Sequence, residues 1–280
     1  DGYNVTYRID DRTGKRYALR VTRPGPTRAH VGSEVDWCLA LGQETSVRVI
    51  APVRNAEGDY CTEVEGRQCV LTEWLSGACR NKGLSPKMLR AVGVTMARMH
   101  DFAERWTPPA EWARPLLDTV WHHESPSPIP NLPAEAAVVF SEAEARLAPF
   151  LKHLTSELSF ALHGDLHQWN YRFGPGHDVG VMDFDDCAVG HPSQDIAICF
   201  YYFQRHARAA ALREAFQAGY CTRRPWPLRP GELSALTAWR ALSLCGSVMV
   251  HENEKLRALV PELLPRWMEL CRAFLEDDRD

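Results

Sequence analysis

A chain of 280 residues is long enough for two lobes, since one hydrophobic core rarely keeps growing past about 250–300 residues. Hydrophobic residues make up 45% and charged residues 24%, which excludes a disordered or collagen-like chain and supplies material for a sizeable core. The balance of 32 basic against 36 acidic side chains excludes a general nucleic-acid binder, which needs a basic face for the phosphates.

The first third reads as β-rich. Val5–Ile9 alternates in strand fashion, Asp10 to Lys15 is a polar turn, and Arg16–Val21 returns as the second strand of a hairpin. A helix follows from Thr27 to Leu41, with Val31, Val35, Cys38 and Leu41 as its apolar stripe. Val47–Pro52, Tyr60–Val64 and Gln68–Thr72 read as three more short strands. Ser85-Pro86 is a helix start, a capping hydroxyl followed by Pro in the first turn, and the helix runs to about Arg105. Residues 107–133 are rich in Pro and aromatics and read as a surface excursion, with His122-His123 in exposed loop. Pro133 to Leu154 is helical, and Phe160–Leu162, Asn170–Phe173 and Val179–Met182 are short strands around polar turns. From Pro192 the chain is mostly helical, punctuated by Pro225, Pro227, Pro230, Pro261 and Pro265, and Glu276 to Asp280 is a solvated tail.

No apolar run reaches the roughly 20 residues needed to cross a bilayer, and no signal-like segment opens the sequence. The 9 Cys form no CxxC pair, which argues against a zinc ribbon and for reduced, buried thiols in a cytoplasm. Neither nucleic acid nor membrane is an expected partner, and no pattern in the sequence sets an oligomeric state.

The chemistry concentrates in His163-Gly164-Asp165-Leu166-His167-Gln168-Trp169-Asn170 and in Val181-Met182-Asp183-Phe184-Asp185-Asp186. Phosphoryl transfer works by positioning and by stabilising negative charge, with magnesium bridging the phosphates. Magnesium takes hard oxygen ligands, and a hydroxyl acceptor needs a carboxylate to orient it and take its proton. Asp165 suits that base, and Asn170 and Asp183 suit the metal. Because His163, Asp165 and His167 alternate, they could instead join Asp183 and Asp185 in a metallohydrolase site.

HGDLHQWN followed by VMDFDD resembles the signature of the aminoglycoside phosphotransferase and choline kinase-like family, most of all its bacterial stress-response kinase and type II homoserine kinase-like branch. The resemblance implies a protein-kinase-like two-lobed α+β fold that uses ATP and magnesium to phosphorylate a hydroxyl. It puts the catalytic Asp at Asp165, the metal-binding residues at Asn170 and Asp183, and a further acidic residue near magnesium at Asp185. Asp195 falls in the segment GHPSQDIA, where the family's Asp supports the catalytic loop. Arg20 in Tyr17–Val21 matches the basic residue that holds the nucleotide phosphates, and Glu34 matches its acidic partner in the next helix. Arg20 stands where a Lys is usual, a fork-shaped donor instead of a point charge. Leu71 to Leu75 matches the adenine-binding connector, so Glu73 and Leu75 are expected nucleotide contacts, chiefly through backbone. Trp169 stands where many relatives have Gly.

The implied division is a nucleotide-binding lobe over residues 1–72, a hinge over 73–77 and a helical lobe over 78–280. No GxGxxG is present, and relatives usually carry one more strand ahead of the first hairpin, so the sequence is expected to start after that strand or to lack it. The expected acceptor is a small molecule: an amino alcohol, a homoserine-like metabolite or an aminoglycoside. A Ser/Thr protein kinase and a non-catalytic pseudokinase are the alternatives. Trp106, Trp112 and Trp121 could line an acceptor pocket or simply pack.

Overall fold

Alternation and turn chemistry build the N-terminal hairpin where they predict it. Strands β1 (Val5–Asp10) and β2 (Arg16–Val21) pair antiparallel, and Asp11 Oδ1 closes the turn by accepting the Thr13 and Lys15 amides at 2.8 and 2.9 Å. The computed structural model describes residues 4–80, 83–121 and 126–277; the expected loop pair His122-His123 lies outside them.

Strands β4 (Cys61–Val64) and β5 (Arg67–Glu73) complete a sheet of order β1-β2-β5-β4. Helix α1 (Arg28–Glu44) starts where the Thr27 hydroxyl accepts the His30 amide, and it buries Val31 and Val35 against Cys61 and Val70 of the sheet. Its next turns carry Trp37 and Leu41 into the main core of the helical part.

The strand expected over Val47–Pro52 is shorter, because this segment changes partners. Only β3 (Arg48–Val49) forms a ladder, parallel to β8 (Val179–Val181), which pairs on its other side with β7 (Tyr171–Phe173). Ile50 still donates to Val181, but Val53 donates to Leu71 and Ala51 accepts from Glu73 on β5. Pro52, with no N–H to give, sits at this changeover.

Ser85 caps α2 (Pro86–Ala103) as expected, accepting the Met88 amide with Pro86 in the first turn, a device worth about 1 kcal/mol. Helix α3 (Ala134–Glu157) leads to β6 (Phe160–Leu162), which pairs with β9 (Ala188–Gly190). Helices α4 (Pro192–Phe203), α5 (Ala209–Tyr220), α6 (Glu232–Met249), α7 (Glu254–Arg257) and α8 (Val260–Asp277) follow. Pro265 lies inside α8 and not between helices. Helices α2 and α5 cross at Gly93 and Gly219, where an added Cβ would stand 2.1 Å from Phe216 O and 2.1 Å from Arg90 O respectively. A second core gathers α3, α4, α6 and α8 around Phe140, Leu147, Leu242 and Trp267.

The 107–133 excursion is anchored, not merely superficial. Val189 of β9 donates to Pro115 and accepts from Leu117, both at 2.8 Å, so the segment lies alongside β9. Among the described residues no helix is long and apolar enough to cross a membrane. All 9 cysteines are free thiols, six of them buried as expected, whereas Cys69 is partly exposed and Cys79 and Cys221 lie at the surface.

Candidate active site

Two loops meet because two strand pairs fix their ends. Asn170 stands just before β7 and Asp183 just after β8, and the register Tyr171↔Val181 brings them side by side, with the Met182 amide donating to Asn170 O at 2.9 Å. The register Leu162↔Ala188 does the same for the opposite ends. Gly164 there has φ +78, and a Cβ on it would stand 2.0 Å from Asp186 O. Only glycine allows both the backbone conformation and that approach.

Asp195, in the first turn of α4 and fully buried, accepts the amides of His163 at 3.0 Å and Gly164 at 2.8 Å. His100 of α2 stands on the same carboxylate at 3.2 Å and holds Tyr220 OH at 2.9 Å through its other nitrogen. Burial works against this carboxylate's charge, yet His100 outweighs it and holds Asp195 below its ordinary pKa. His163 engages Met182 O through Nε2 at 3.1 Å and the Asp165 amide through Nδ1 at 3.2 Å. His167 places Nε2 3.1 Å from Asp165 Oδ2 and accepts the Trp169 amide on Nδ1 at 3.4 Å. Both histidines therefore spend their nitrogens on the loop itself, which disfavours the metallohydrolase arrangement. Trp169 is exposed, its ring set edge-on to His167 and Tyr202.

Asp165 is surrounded by donors. Arg240 of α6 pairs with Oδ1, and His167 and the Asn170 amide at 3.2 Å engage Oδ2. Burial raises the Asp165 carboxyl, but Arg240 and His167 together carry it below its ordinary pKa. Asn170 also donates to Asp165 O at 2.9 Å, which leaves its amide oxygen without a protein donor among the described residues.

Asp183 has a positive φ of 65, a strained conformation for a residue with a side chain. Its carboxylate opens into the cleft and has no hydrogen-bond donor among the described residues. Asp183 is exposed, yet partial loss of water to the surrounding protein, then the neighbouring Asp185, push it up to about 6. Asp185 leans towards the sheet, accepting from Asn4 at 2.8 Å and from Arg20 at 3.4 Å. Arg20 pairs with Glu34 on α1, as expected. A carboxylate without a hydrogen-bond donor and crowded by a second one, together with a free amide oxygen, is a hard oxygen set, so these residues fit magnesium.

The structure thus joins Arg20, Glu34 and Asp185 in one group and Asp165 and Asn170 in another, with Asp183 between them. Glu73 and Leu75 stand apart. Glu73 ends β5 and pairs with Lys15 at an exposed end of the sheet, and Leu75 is half-buried in the segment that follows. The tryptophans divide. Trp106 packs on Trp37, Trp112 bonds Ser33 O, and Trp121 lines a cavity with Leu117, Thr119, Asp186, Trp239 and Arg240. Asp186 is exposed at the surface, yet the protein around it, followed by Asp165 and Asp185, raises its carboxyl above the ordinary carboxylate range.

Sequence reasoning missed Arg240, Arg114 and Asp186. Arg240 did leave a signal: it is the lone charge inside the apolar stretch Leu236 to Leu244, and a buried charge requires a partner. Arg114 sits in an irregular segment and left none.

The sequence profile of the phosphotransferase enzyme family matches residues 1–235. The chain is 31% identical over 265 residues to an uncharacterized protein of Deinococcus radiodurans, covering 88% of this chain and 74% of that protein. A microcompartment-associated aminopropanol kinase superimposes with a TM-score of 0.82 at 24% identity, over 98% of this chain and 90% of that one. An amicoumacin kinase solved in complex with AMP-PNP, Ca2+ and Ami superimposes with a TM-score of 0.79 at 19% identity, over 96% of this chain and 86% of that one. At such identities the likeness shows the fold, the two-lobed α+β arrangement of these kinases.

Proposed function

This chain belongs to the phosphotransferase enzyme family, and on that premise we propose that it moves the γ-phosphoryl group of ATP to the hydroxyl of a small amine-bearing molecule. Residues 1–72 serve as the nucleotide lobe, 73–77 as its connector, with Glu73 and Leu75 offering backbone contacts to the base, and 78–280 as the acceptor lobe. The observation that carries the reading is the Asp165 carboxylate, held by Arg240, His167 and Asn170, on a loop adjoining the one that carries the unpartnered Asp183.

Asn170 and Asp183 would hold magnesium, with Asp185 close by. Bound there, the metal supplies positive charge to the phosphate oxygens. Arg20, kept in place by Glu34, offers a second cation to the phosphates. Asp165 orients the acceptor hydroxyl and takes its proton. Its lowered pKa makes it a weak base, so proton transfer comes late, as a loose phosphoryl transition state allows. The cavity beside it has two aromatic walls, Trp121 and Trp239, whose ring faces can take a protonated amine.

The test is ADP formation from magnesium–ATP across amino alcohols, homoserine, aminoglycosides and a generic protein, for wild type and Asp165→Asn. Acceptor-dependent ADP formation should fall about 10²–10⁴-fold in the variant while nucleotide binding persists. A folded wild-type chain that binds no magnesium–ATP would overturn the reading.

A further inference from the structure

Arg240 sits on α6, and its pairing with Asp165 spans 75 positions of sequence. It is buried, in a helix otherwise packed into the second core between Trp239 and Ala241. Burying a guanidinium is costly, and an apolar side chain of similar volume would pack there at lower cost. Two contacts hold it without help from Asp165. Tyr202 OH lies 2.9 Å from Nη2, and the Tyr202 ring lies 5.6 Å from the guanidinium carbon. The adjoining Trp239 pins the helix by donating to Thr119 O at 3.0 Å. The guanidinium is thus a fixed point, and the Asp165 carboxylate is the part positioned by it.

The hydrogen bonds also say which carboxylate oxygen serves the acceptor. A carboxylate offers about four lone-pair sites. His167 Nδ1 accepts the Trp169 amide, so Nε2 carries the hydrogen and donates to Oδ2, where Asn170 donates as well. Oδ2 is then filled, while Oδ1 has one donor, Arg240.

We propose that Arg240 is a positioning residue: it orients Asp165 so that the acceptor hydroxyl meets Oδ1, next to the guanidinium. This inference rests on the phosphotransferase reading above. It adds that a residue remote in sequence, on a helix outside both motif loops, sets the reach of the catalytic carboxylate.

The test compares full-length Arg240→Met, Arg240→Lys, Tyr202→Phe and Asp165→Asn. ADP formation from magnesium–ATP is followed with water as acceptor and with 1-amino-2-propanol, and ATP affinity is measured by calorimetry. Arg240→Met should lower kcat about 100-fold, the cost of an ångström-scale misplacement, with ATP affinity within about twofold of wild type. Arg240→Lys should recover about a tenth of the lost rate, since it restores charge but not the fork. If Arg240→Met fails to fold, Tyr202→Phe carries the test, because it frees the guanidinium and keeps the ring; kcat should fall about tenfold at unchanged ATP affinity. Wild-type kcat in the folded Arg240 variants, or in Tyr202→Phe where it alone folds, would overturn the inference. So would a rise in acceptor KM at constant kcat, which would make Arg240 an acceptor ligand. Asp165→Asn separates the two levels. Wild-type turnover in that variant sinks the phosphotransferase reading itself, whereas an inactive Asp165→Asn beside an active Arg240→Met sinks only the positioning role. A folded wild type that binds no magnesium–ATP removes both.

Discussion

Arg114 donates to the backbone carbonyl of Asp185 at 2.6 Å and thereby ties the Pro-rich excursion to the acidic loop. The same side chain reaches His30 at 2.8 Å and lies 3.9 Å from the Glu34 carboxylate. One buried cation therefore links α1, whose Glu34 holds Arg20, to the segment that carries Asp183. Arg114→Met should cost about 2 kcal/mol of stability, the loss of a charged hydrogen bond with its partners left buried, and should weaken magnesium–ATP binding. Urea denaturation and calorimetry check this; an unchanged midpoint with unchanged affinity would remove the linking role.

Magnesium dependence should carry the titration of Asp183. Its carboxyl is raised from 3.8 to about 6, so the unfolded chain ionises it first as pH rises. In metal-free protein the stability from this group is present below about 3.8 and lost as pH climbs through about 6. Asp183→Asn should flatten that decline. Magnesium requires the ionised form, so magnesium–ATP affinity should fall about tenfold per unit of pH below 6. Calorimetry at pH 7.5, 6 and 5, in round values chosen about that midpoint, reads the slope. A flat profile would mean that the Asp183 carboxyl is not raised, and an affinity that Asp183→Asn leaves unchanged would mean that Asp183 is not a ligand.

Much of this arrangement is legible in the sequence where local chemistry decides it. Alternation and a polar turn specify β1 and β2, and Ser85 with Pro86 specifies the start of α2. Asp165, Asn170 and Asp183 are legible because two short loops carry them at fixed separations. The pairs Arg240–Asp165 and Arg114–Asp185 are not, because packing brings together residues 75 and 71 positions apart. Strand β9 escaped for another reason: Ala188–Gly190 has three residues, too few to show a period. Val47–Pro52 was legible as extended chain but not as a segment that exchanges β8 for β5, since alternation says nothing about which strand is the partner.

Gly164→Ala tests whether the two loops are locked together. The added Cβ would meet Asp186 O at 2.0 Å, and both atoms belong to backbone that strand pairs hold on either side. Neither can yield cheaply, and φ of +78 adds strain for alanine. The variant should lose about 3 kcal/mol and most of its turnover. A stable, fully active Gly164→Ala would show that the loops slide past one another with little cost.

Asp195 poses the complementary question, since it supports the loop from below and touches no part of the cleft. Its carboxylate accepts two consecutive amides, from His163 and Gly164, and meets His100 from α2. Asp195→Asn keeps the shape but replaces one acceptor oxygen with a donor, which must face the Gly164 amide N–H at Oδ1, or both the His163 amide N–H and the imidazole at Oδ2. Disrupting this buried, charge-assisted group should cost about 3 kcal/mol. Pairing it with His100 substitutions distinguishes two sources of that cost. If the imidazole contact dominates, Asp195→Asn with His100→Gln should be more stable than the sum of the single changes predicts, because the glutamine can offer an acceptor to the new amide. If the amides dominate, the double variant should be additive and kcat should fall with Asp195→Asn alone, as the His163-Gly164-Asp165 backbone shifts and carries Asp165 with it. Denaturation midpoints and kcat, measured on all three variants, separate these outcomes; an Asp195→Asn protein with wild-type midpoint and rate would mean that the loop holds its shape without this carboxylate.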